Sequence, residues 1–151
     1  MELSTLIKEE TIALSLDASN KKEAITKLAN IMTNAGYISE INVFTEAVLT
    51  REEKGSTGIG FQVAIPHGKT KGVSKPGLAF ATLAHPIDWD SLDGKPVSMF
   101  FLIAVPEEQA GNEHLQILAA LSRKLIHEEF RNQLMSAKTV QEVLDLIKTA
   151  A

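Results

Sequence analysis

Two apolar segments near the middle of the chain constrain the fold more than any other feature. Residues 76–83 (PGLAFATL) and 97–104 (VSMFFLIA) contain no charged side chain. Strands of this composition are typically buried on both faces of a sheet. Asp93 and Gly94 predict a turn between them. Such a sheet needs helices on each side to exclude water.

Helical patterns flank the two strands. Before them, the sequence predicts a strand over 11–16, a helix that begins with the Asn20 and Glu23 capping box and ends at Gly36, and a helix from Ser39 to about Arg51. After them, it predicts a helix from Glu113 with Leu115 and Leu118 on its apolar face, a shorter helix around Phe130, and a last helix capped by Thr139 and Glu142. This order predicts an α/β fold, a three-layer α/β/α sandwich around a mixed β-sheet, formed by one domain over residues 1–151.

Composition excludes several classes of function. The 151-residue chain has a net charge of -4 and a sequence pI near 5.6, so it lacks the basic stripe that nucleic-acid binding requires. It contains no cysteine, which excludes disulfides and thiolate chemistry and fits a reducing cytoplasm. No apolar stretch is long enough to span a bilayer, so we expect a cytoplasmic protein without membrane insertion.

The stretch before the first apolar strand is rich in glycine. Residues 52–62 (EEKGSTGIGFQ) contain three glycines within six positions, which predicts a loop rather than a regular helix. Residues 63–65 then predict a short buried strand that ends at Pro66.

His67 follows that proline and precedes Gly68, an arrangement suited to presenting a nucleophile. Pro66 fixes its own φ and favours an extended residue before it, so His67 is predicted to lie on a restrained turn. Gly68 is expected to give clearance for an approaching phosphoryl donor. A neutral imidazole can attack phosphorus without a separate base. Taken alone, however, a histidine in a turn is more often a surface or structural residue than a nucleophile.

Other chemistry finds little support in the sequence. The P-loop and dinucleotide motifs both fail because Val63 stands where each needs a glycine. The four histidines show none of the short spacings of a zinc site, so we expect neither a metal nor a cofactor. His85 and His127 are interpreted as surface residues.

Residues 52–68 resemble the signature of one family. The resemblance lies in their acidic residue and in the Ile-Gly, Val-Ala-Ile and Pro-His-Gly elements. The resemblance extends to residues 48–52, 88–97 and 112–122. The family is the type-2 enzyme IIA of the bacterial sugar phosphotransferase system, the fructose and mannitol class, with most likeness to its fructose branch. It implies a phosphotransferase that carries the phosphoryl group on Nε2 of His67 while Nδ1–H meets an orienting acceptor.

The resemblance also implies supporting residues. His114 is expected to lie near His67 and to stabilise the phosphoryl group, although on its own it is interpreted as a helix-cap residue. Arg51 is expected to contact phosphate oxygens through its guanidinium; the alternative is a helix-end arginine that satisfies carbonyls. Thr57, Gly60 and Gly68 are the predicted binding residues, and loop solvation explains Thr57 and its neighbour Ser56 equally well.

The implied partners are the histidine carrier HPr as donor and the cysteine of an enzyme IIB domain as acceptor, with the membrane enzyme IIC served indirectly. We expect docking on an apolar patch around His67 with a charged rim, for which Gly60, Phe61 and Val63 are candidates, and the acidic net charge favours a basic face on HPr. Two alternatives stand: a nitrogen-type regulatory protein that uses the same histidine for signalling, and a non-catalytic module that only cradles an anion.

Overall fold

The computed structural model of the protein describes residues 2–108 and 113–149. Within these residues, two 3₁₀ turns (Leu3–Thr5 and Glu9–Thr11), six strands and five α-helices follow one another. They are β1 (Ile12–Leu16), α1 (Lys21–Asn34), α2 (Ile41–Lys54), β2 (Gly58–Gly60), β3 (Val63–Ala64), β4 (His67–Thr70), β5 (Gly77–Ile87), β6 (Val97–Pro106), α3 (Glu113–Leu125), α4 (Glu128–Met135) and α5 (Val140–Thr149).

One mixed sheet organises the fold, with the two predicted apolar strands at its centre. Its order is β1-β5-β6-β3-β2, and β4 also pairs with β6. The β5 and β6 strands are antiparallel, whereas β3 and β4 both run parallel to β6, with Val63 opposite Met99 and His67 opposite Ile103. The strands β3 and β4 therefore occupy successive stretches of the same side of β6, joined by Ile65 and Pro66.

The sheet separates two hydrophobic clusters. One face buries Ile65, Phe101 and Ile103 against α3, α4 and α5. The other buries Phe100 and Leu102 against α1 and α2. Alternate residues of β6 point to opposite faces, and both faces are covered, which explains the apolar run in its sequence. The predicted three-layer α/β/α sandwich is confirmed.

The predicted caps mark the helix ends well. The Asn20 side chain accepts a hydrogen bond of 2.8 Å from the Glu23 backbone N–H at the start of α1. Thr139 accepts one of 3.1 Å from Glu142 N–H at the start of α5. Past the end of α1, Gly36 has a φ of 90°. Among the described helices, none has the length and apolar composition that crossing a bilayer requires.

The prediction of one continuous loop over residues 52–62 is wrong at both ends. Helix α2 continues through Lys54, and Gly58–Gly60 forms β2, antiparallel to β3. The turn between β2 and β3 consists of Phe61 and Gln62, both with positive φ (58° and 66°). Hairpin turns of this geometry usually contain Asn and Gly, and neither Phe61 nor Gln62 is of those types, so the hairpin has no signal in the sequence.

Candidate functional site

His67 lies at the first position of β4, half-buried, immediately after Pro66. Its Nδ1 is 3.2 Å from the carbonyl oxygen of Ile65, two residues earlier in the chain. Because a carbonyl oxygen can only accept, this contact favours the tautomer in which Nδ1 donates its hydrogen. The lone pair of the neutral ring then resides on Nε2.

The prediction that His67 sits on a turn is wrong, because the chain resumes pairing with β6 at once. The Pro66 carbonyl accepts a hydrogen bond of 3.0 Å from Ile103 N–H, and His67 itself is opposite Ile103. The restraint comes from the sheet rather than from a turn. A strand holds the backbone of the histidine more firmly than a solvated turn does.

An open cavity of about 770 Å³ borders His67. Helix α2 forms one wall, β4 the floor and α3 the other wall. The lining residues are Val43, Glu46, Ala47, Thr50, Arg51 and Lys54 from α2, His67, Gly68 and Lys69 from β4, and Leu115 and Leu118 from α3. The imidazole thus lies where two helices on opposite faces of the sheet meet one of its strands.

The charge around this cavity differs in sign from that of the whole chain. Among the described residues of the lining, Arg51, Lys54 and Lys69 contribute cations and Glu46 a carboxylate, whereas the chain carries a net charge of -4. The expectation of a basic face on HPr, which rests on net charge alone, stays a prediction. A local excess of positive charge favours a phosphoryl group and acidic groups on an approaching protein.

Arg51 satisfies a carbonyl at the helix end, and its place in the cavity keeps the predicted phosphate contact open. Its Nη1 donates a hydrogen bond of 2.7 Å to the carbonyl of Gly55, which follows the last residue of α2. The same side chain lines the cavity beside His67. A guanidinium has five N–H donors, so this hydrogen bond leaves it able to contact phosphate oxygens.

The other loop candidates lie elsewhere. Thr57 is 4% exposed, and its hydroxyl donates to Glu52 Oε2 and accepts from Trp89 Nε1 at 3.4 Å. Ser56 donates its hydroxyl to the Trp89 carbonyl. Neither residue lines the cavity, so the geometry gives no support to a direct phosphate contact by Thr57.

Gly60 and the predicted docking patch are also displaced from the cavity. Gly60 lies beside the Asp93 carboxylate, whose pKa is held below its ordinary value by the backbone N–H groups of Lys95 first and Phe61 second. Val63 is fully buried, and the exposed Phe61 ring lies 4.0 Å from the Arg131 guanidinium carbon. Gly60 and Val63 are buried and so offer no docking surface, whereas a docking role for the exposed Phe61 stays a prediction.

Apolar surface is instead supplied by the two helices. Leu115 was predicted on the buried face of α3, yet its side chain is 53% exposed and lines the cavity. The neighbouring His114 is the second residue of α3, and its side chain lies outside the part of the chain that the structure describes. The first turn of α3 nevertheless borders the cavity through Leu115.

Gly68 lines the cavity beside His67, but the position that a Cβ would take on it faces α2. A Cβ at this position would lie 2.9 Å from Val48 Cγ2 and 3.1 Å from Phe44 Cε1. Both side chains are fully buried. The absence of a side chain therefore allows close packing of β4 on α2, and the clearance expected for a donor stays a prediction.

We expect Gly68→Ala to lower the free energy of unfolding by about 1–3 kcal/mol, as overpacking of a filled core does. Gly55→Ala is the matched control, because a Cβ there meets nothing within 4 Å. Urea denaturation followed by circular dichroism measures both. Equal free energies of unfolding for Gly68→Ala and the wild type would contradict this prediction and show that α2 can shift to accommodate the added methyl group.

Comparison with known proteins identifies the family of the chain. Residues 5–150 match the model of a family described as "Phosphoenolpyruvate-dependent sugar phosphotransferase system, EIIA 2". The chain belongs to this family. Its members are phosphotransferases that pass phosphate between proteins, so the predicted family and phosphoryl-carrier activity are confirmed.

Individual relatives cover nearly the whole chain. A fructose-specific EIIA component from Haloferax volcanii is 42% identical over 146 residues, which are 97% of this chain and 94% of the relative. The crystal structure of the nitrogen regulatory protein IIA-Ntr from Neisseria meningitidis superposes with a TM-score of 0.83 at 31% identity, covering 95% of this chain and 97% of that one.

A second similar structure contains a partner protein. It is the complex of enzyme IIA-Mtl with phosphorylated enzyme IIB-Mtl from Escherichia coli, with a TM-score of 0.80, 28% identity, and coverage of 94% of this chain and 98% of that one. The α/β fold of this family is therefore shared over almost the full length of the chain.

Proposed function

We propose that His67 accepts a phosphoryl group from the phosphohistidine of HPr and passes it to the cysteine of an enzyme IIB domain. The observation that carries this proposal is the contact of His67 Nδ1 with the Ile65 carbonyl, 3.2 Å away, beside a cavity with three cationic side chains. The contact leaves Nε2 as the nucleophile, and the cavity offers charge for the phosphoryl oxygens.

The chemistry balances without a cofactor. The Nε2 lone pair forms a P–N bond as the P–N bond of the donor histidine breaks, and Nδ1 keeps its hydrogen throughout. In the second step a cysteine thiolate of the acceptor attacks phosphorus, a P–S bond forms, and the imidazole leaves as a neutral group. Each transfer passes through a loose transition state whose charge is spread over three equatorial oxygens.

Fixed cations stabilise that charge most effectively because they need no reorganisation during the reaction. Arg51 is our first candidate for this role, since Gly55 already restrains its guanidinium. Lys54 and Lys69 add positive charge to the same lining. We propose the same task for His114, in the first turn of α3, where the helix dipole favours an anion.

Donor and acceptor would dock in turn on the open face between α2 and α3. Apolar side chains of both helices and the cationic rim make this surface suited to a protein with an apolar centre and acidic edges. The Escherichia coli complex of IIA-Mtl with phosphorylated IIB-Mtl is a precedent for such docking in a similar protein. We propose that the exchange occurs in the cytoplasm and feeds fructose-type sugar uptake through enzyme IIC, which the chain itself does not touch.

A nitrogen-type regulator is the second candidate, favoured by the likeness to the Neisseria meningitidis protein. A role in sugar transport is favoured by the fructose-specific relative from Haloferax volcanii, which is more similar in sequence than the Neisseria meningitidis protein. The two differ in the acceptor of the phosphoryl group.

We expect radiolabelled phosphate on this protein to move to a fructose-type enzyme IIB within seconds to minutes of mixing. Gel electrophoresis at alkaline pH, where phosphohistidine survives, follows the label. An enzyme IIB whose acceptor cysteine is replaced by serine is the control. Retention of the label on the carrier in the presence of active enzyme IIB would favour the regulator.

A further inference from the structure

A carboxylate is buried behind the candidate site. The side chain of Glu52, in the last turn of α2, is 4% exposed and forms a salt bridge of 3.1 Å with Lys21 Nζ of α1. Glu52 Oε1 also accepts a hydrogen bond of 3.2 Å from Thr57 N–H, and Oε2 accepts from the Thr57 hydroxyl. Both carboxylate oxygens are therefore engaged, and Thr57 is held at two points.

Thr57 connects this carboxylate to His67 through the backbone. The Thr57 carbonyl accepts a hydrogen bond of 3.0 Å from Ile65 N–H. The carbonyl of the same Ile65 faces His67 Nδ1 at 3.2 Å. A shift of Thr57 would thus move the residue that orients the imidazole.

The local sequence makes such a restraint necessary. Thr57 lies between Gly55 and Gly58, and glycine allows the backbone the widest range of conformations. Trp89, fully buried, donates from Nε1 to the Thr57 hydroxyl at 3.4 Å, which fixes the segment from its other side. Burial of a charge is unfavourable unless the charge is paired. The Glu52 carboxylate is paired with Lys21 and hydrogen-bonded to Thr57.

We propose that Glu52 is a positioning residue for phosphoryl transfer. It holds Thr57 so that the Ile65 carbonyl keeps His67 in the tautomer with hydrogen on Nδ1, and it does so without touching the phosphoryl group. This inference rests on the proposed function of His67 and assigns to Glu52 the setting of its reactive nitrogen.

The test uses three variants and one control. Glu52→Ala removes both acceptor oxygens, Glu52→Gln keeps one of them, and Thr57→Val removes only the hydroxyl. Glu53→Ala is the matched control, since Glu53 is the exposed neighbour on the same helix and its loss changes the net charge equally. The ¹⁵N chemical shifts of the His67 ring report the tautomer of the neutral imidazole, and rapid-quench kinetics with phosphorylated HPr give kcat and KM.

In Glu52→Ala we expect the population with hydrogen on Nδ1 to fall and kcat to drop at least about tenfold, as loss of a group that orients a reacting residue does, while KM stays within about twofold. Glu52→Gln and Thr57→Val should fall between it and the wild type, and Glu53→Ala should match the wild type. If Glu52→Ala does not fold, Glu52→Gln and Thr57→Val test the proposal by the same ring shifts and kinetics.

Unchanged ring shifts and unchanged kcat in the folded variants, even with a lowered melting temperature, would overturn the proposal and leave Glu52 a structural residue. Failure of the proposed function is a separate outcome. A wild-type protein that takes no phosphate from HPr would overturn that function, whereas the ring shifts of the unphosphorylated variants would still support or overturn the positioning role.

Discussion

Replacement of His67 by alanine is expected to abolish phosphorylation of the protein. The proposed P–N bond forms at Nε2 of this one side chain, and its orienting contact with the Ile65 carbonyl is lost with it. After incubation with phosphoenolpyruvate, enzyme I and HPr, intact-protein mass spectrometry at alkaline pH should show one added phosphoryl group on the wild type and none on His67→Ala. Loss of the nucleophile removes the reaction rather than slowing it.

His67→Gln and His85→Ala serve as controls for this experiment. Glutamine retains polarity and much of the volume of the imidazole but has no nucleophilic nitrogen, so it should also remain unmodified. His85 is an exposed residue of β5, and its replacement should leave the modification intact. A wild-type chain that stays unmodified would instead favour the anion-binding module, and a modified His67→Ala protein would place the phosphoryl group on another residue.

The layered fold was accessible from the sequence because its signals are local. The apolar runs that form β5 and β6 are buried on both faces as their composition predicts. Caps at Asn20 and Thr139 depend on residues three positions apart, so a single stretch of sequence contains them. Local patterns of this kind can be recognised without knowing which elements pack against them.

The missed elements depend on partners distant in sequence. Helix α2 extends past the predicted end, and Glu52 in this extension is paired with Lys21, thirty-one residues earlier. Strand β4 pairs with β6 directly after Pro66, although Thr70 is the only β-branched residue among its four (HGKT) and none of them is apolar. Propensity is a weak guide where tertiary pairing decides the conformation.

The same distinction separates the predicted from the unpredicted parts of the site. His67 and Arg51 belong to one continuous motif, and both line the cavity. Lys54, Lys69 and Leu115 line it as well, but only the meeting of α2, β4 and α3 brings them together. Thr57 and Gly68 were assigned to binding from their places in the motif, whereas their contacts are with Glu52 and α2.

The Arg51 guanidinium is expected to contribute more to the rate of phosphoryl transfer than any other cation in the described lining of the cavity. We expect Arg51→Ala to lower kcat for phosphoryl transfer about 100-fold, the scale on which loss of one fixed oxyanion donor acts. The hydrogen bond to the Gly55 carbonyl is lost as well, at about 1 kcal/mol of unfolding free energy. Rapid-quench transfer from phosphorylated HPr gives the kinetic effect, and thermal unfolding gives the stability effect.

Two further variants separate charge from geometry. Lys54→Ala removes the same unit charge from the same cavity lining, three residues along α2, so a purely long-range effect of charge would slow both alanine variants alike. Arg51→Lys keeps the charge but loses the planar fork that contacts two oxygens at once, and it should regain about tenfold of the lost rate. If Arg51→Ala slows transfer no more than Lys54→Ala does, the guanidinium contributes field strength alone, and the contact of Arg51 with the transferring phosphoryl group is excluded.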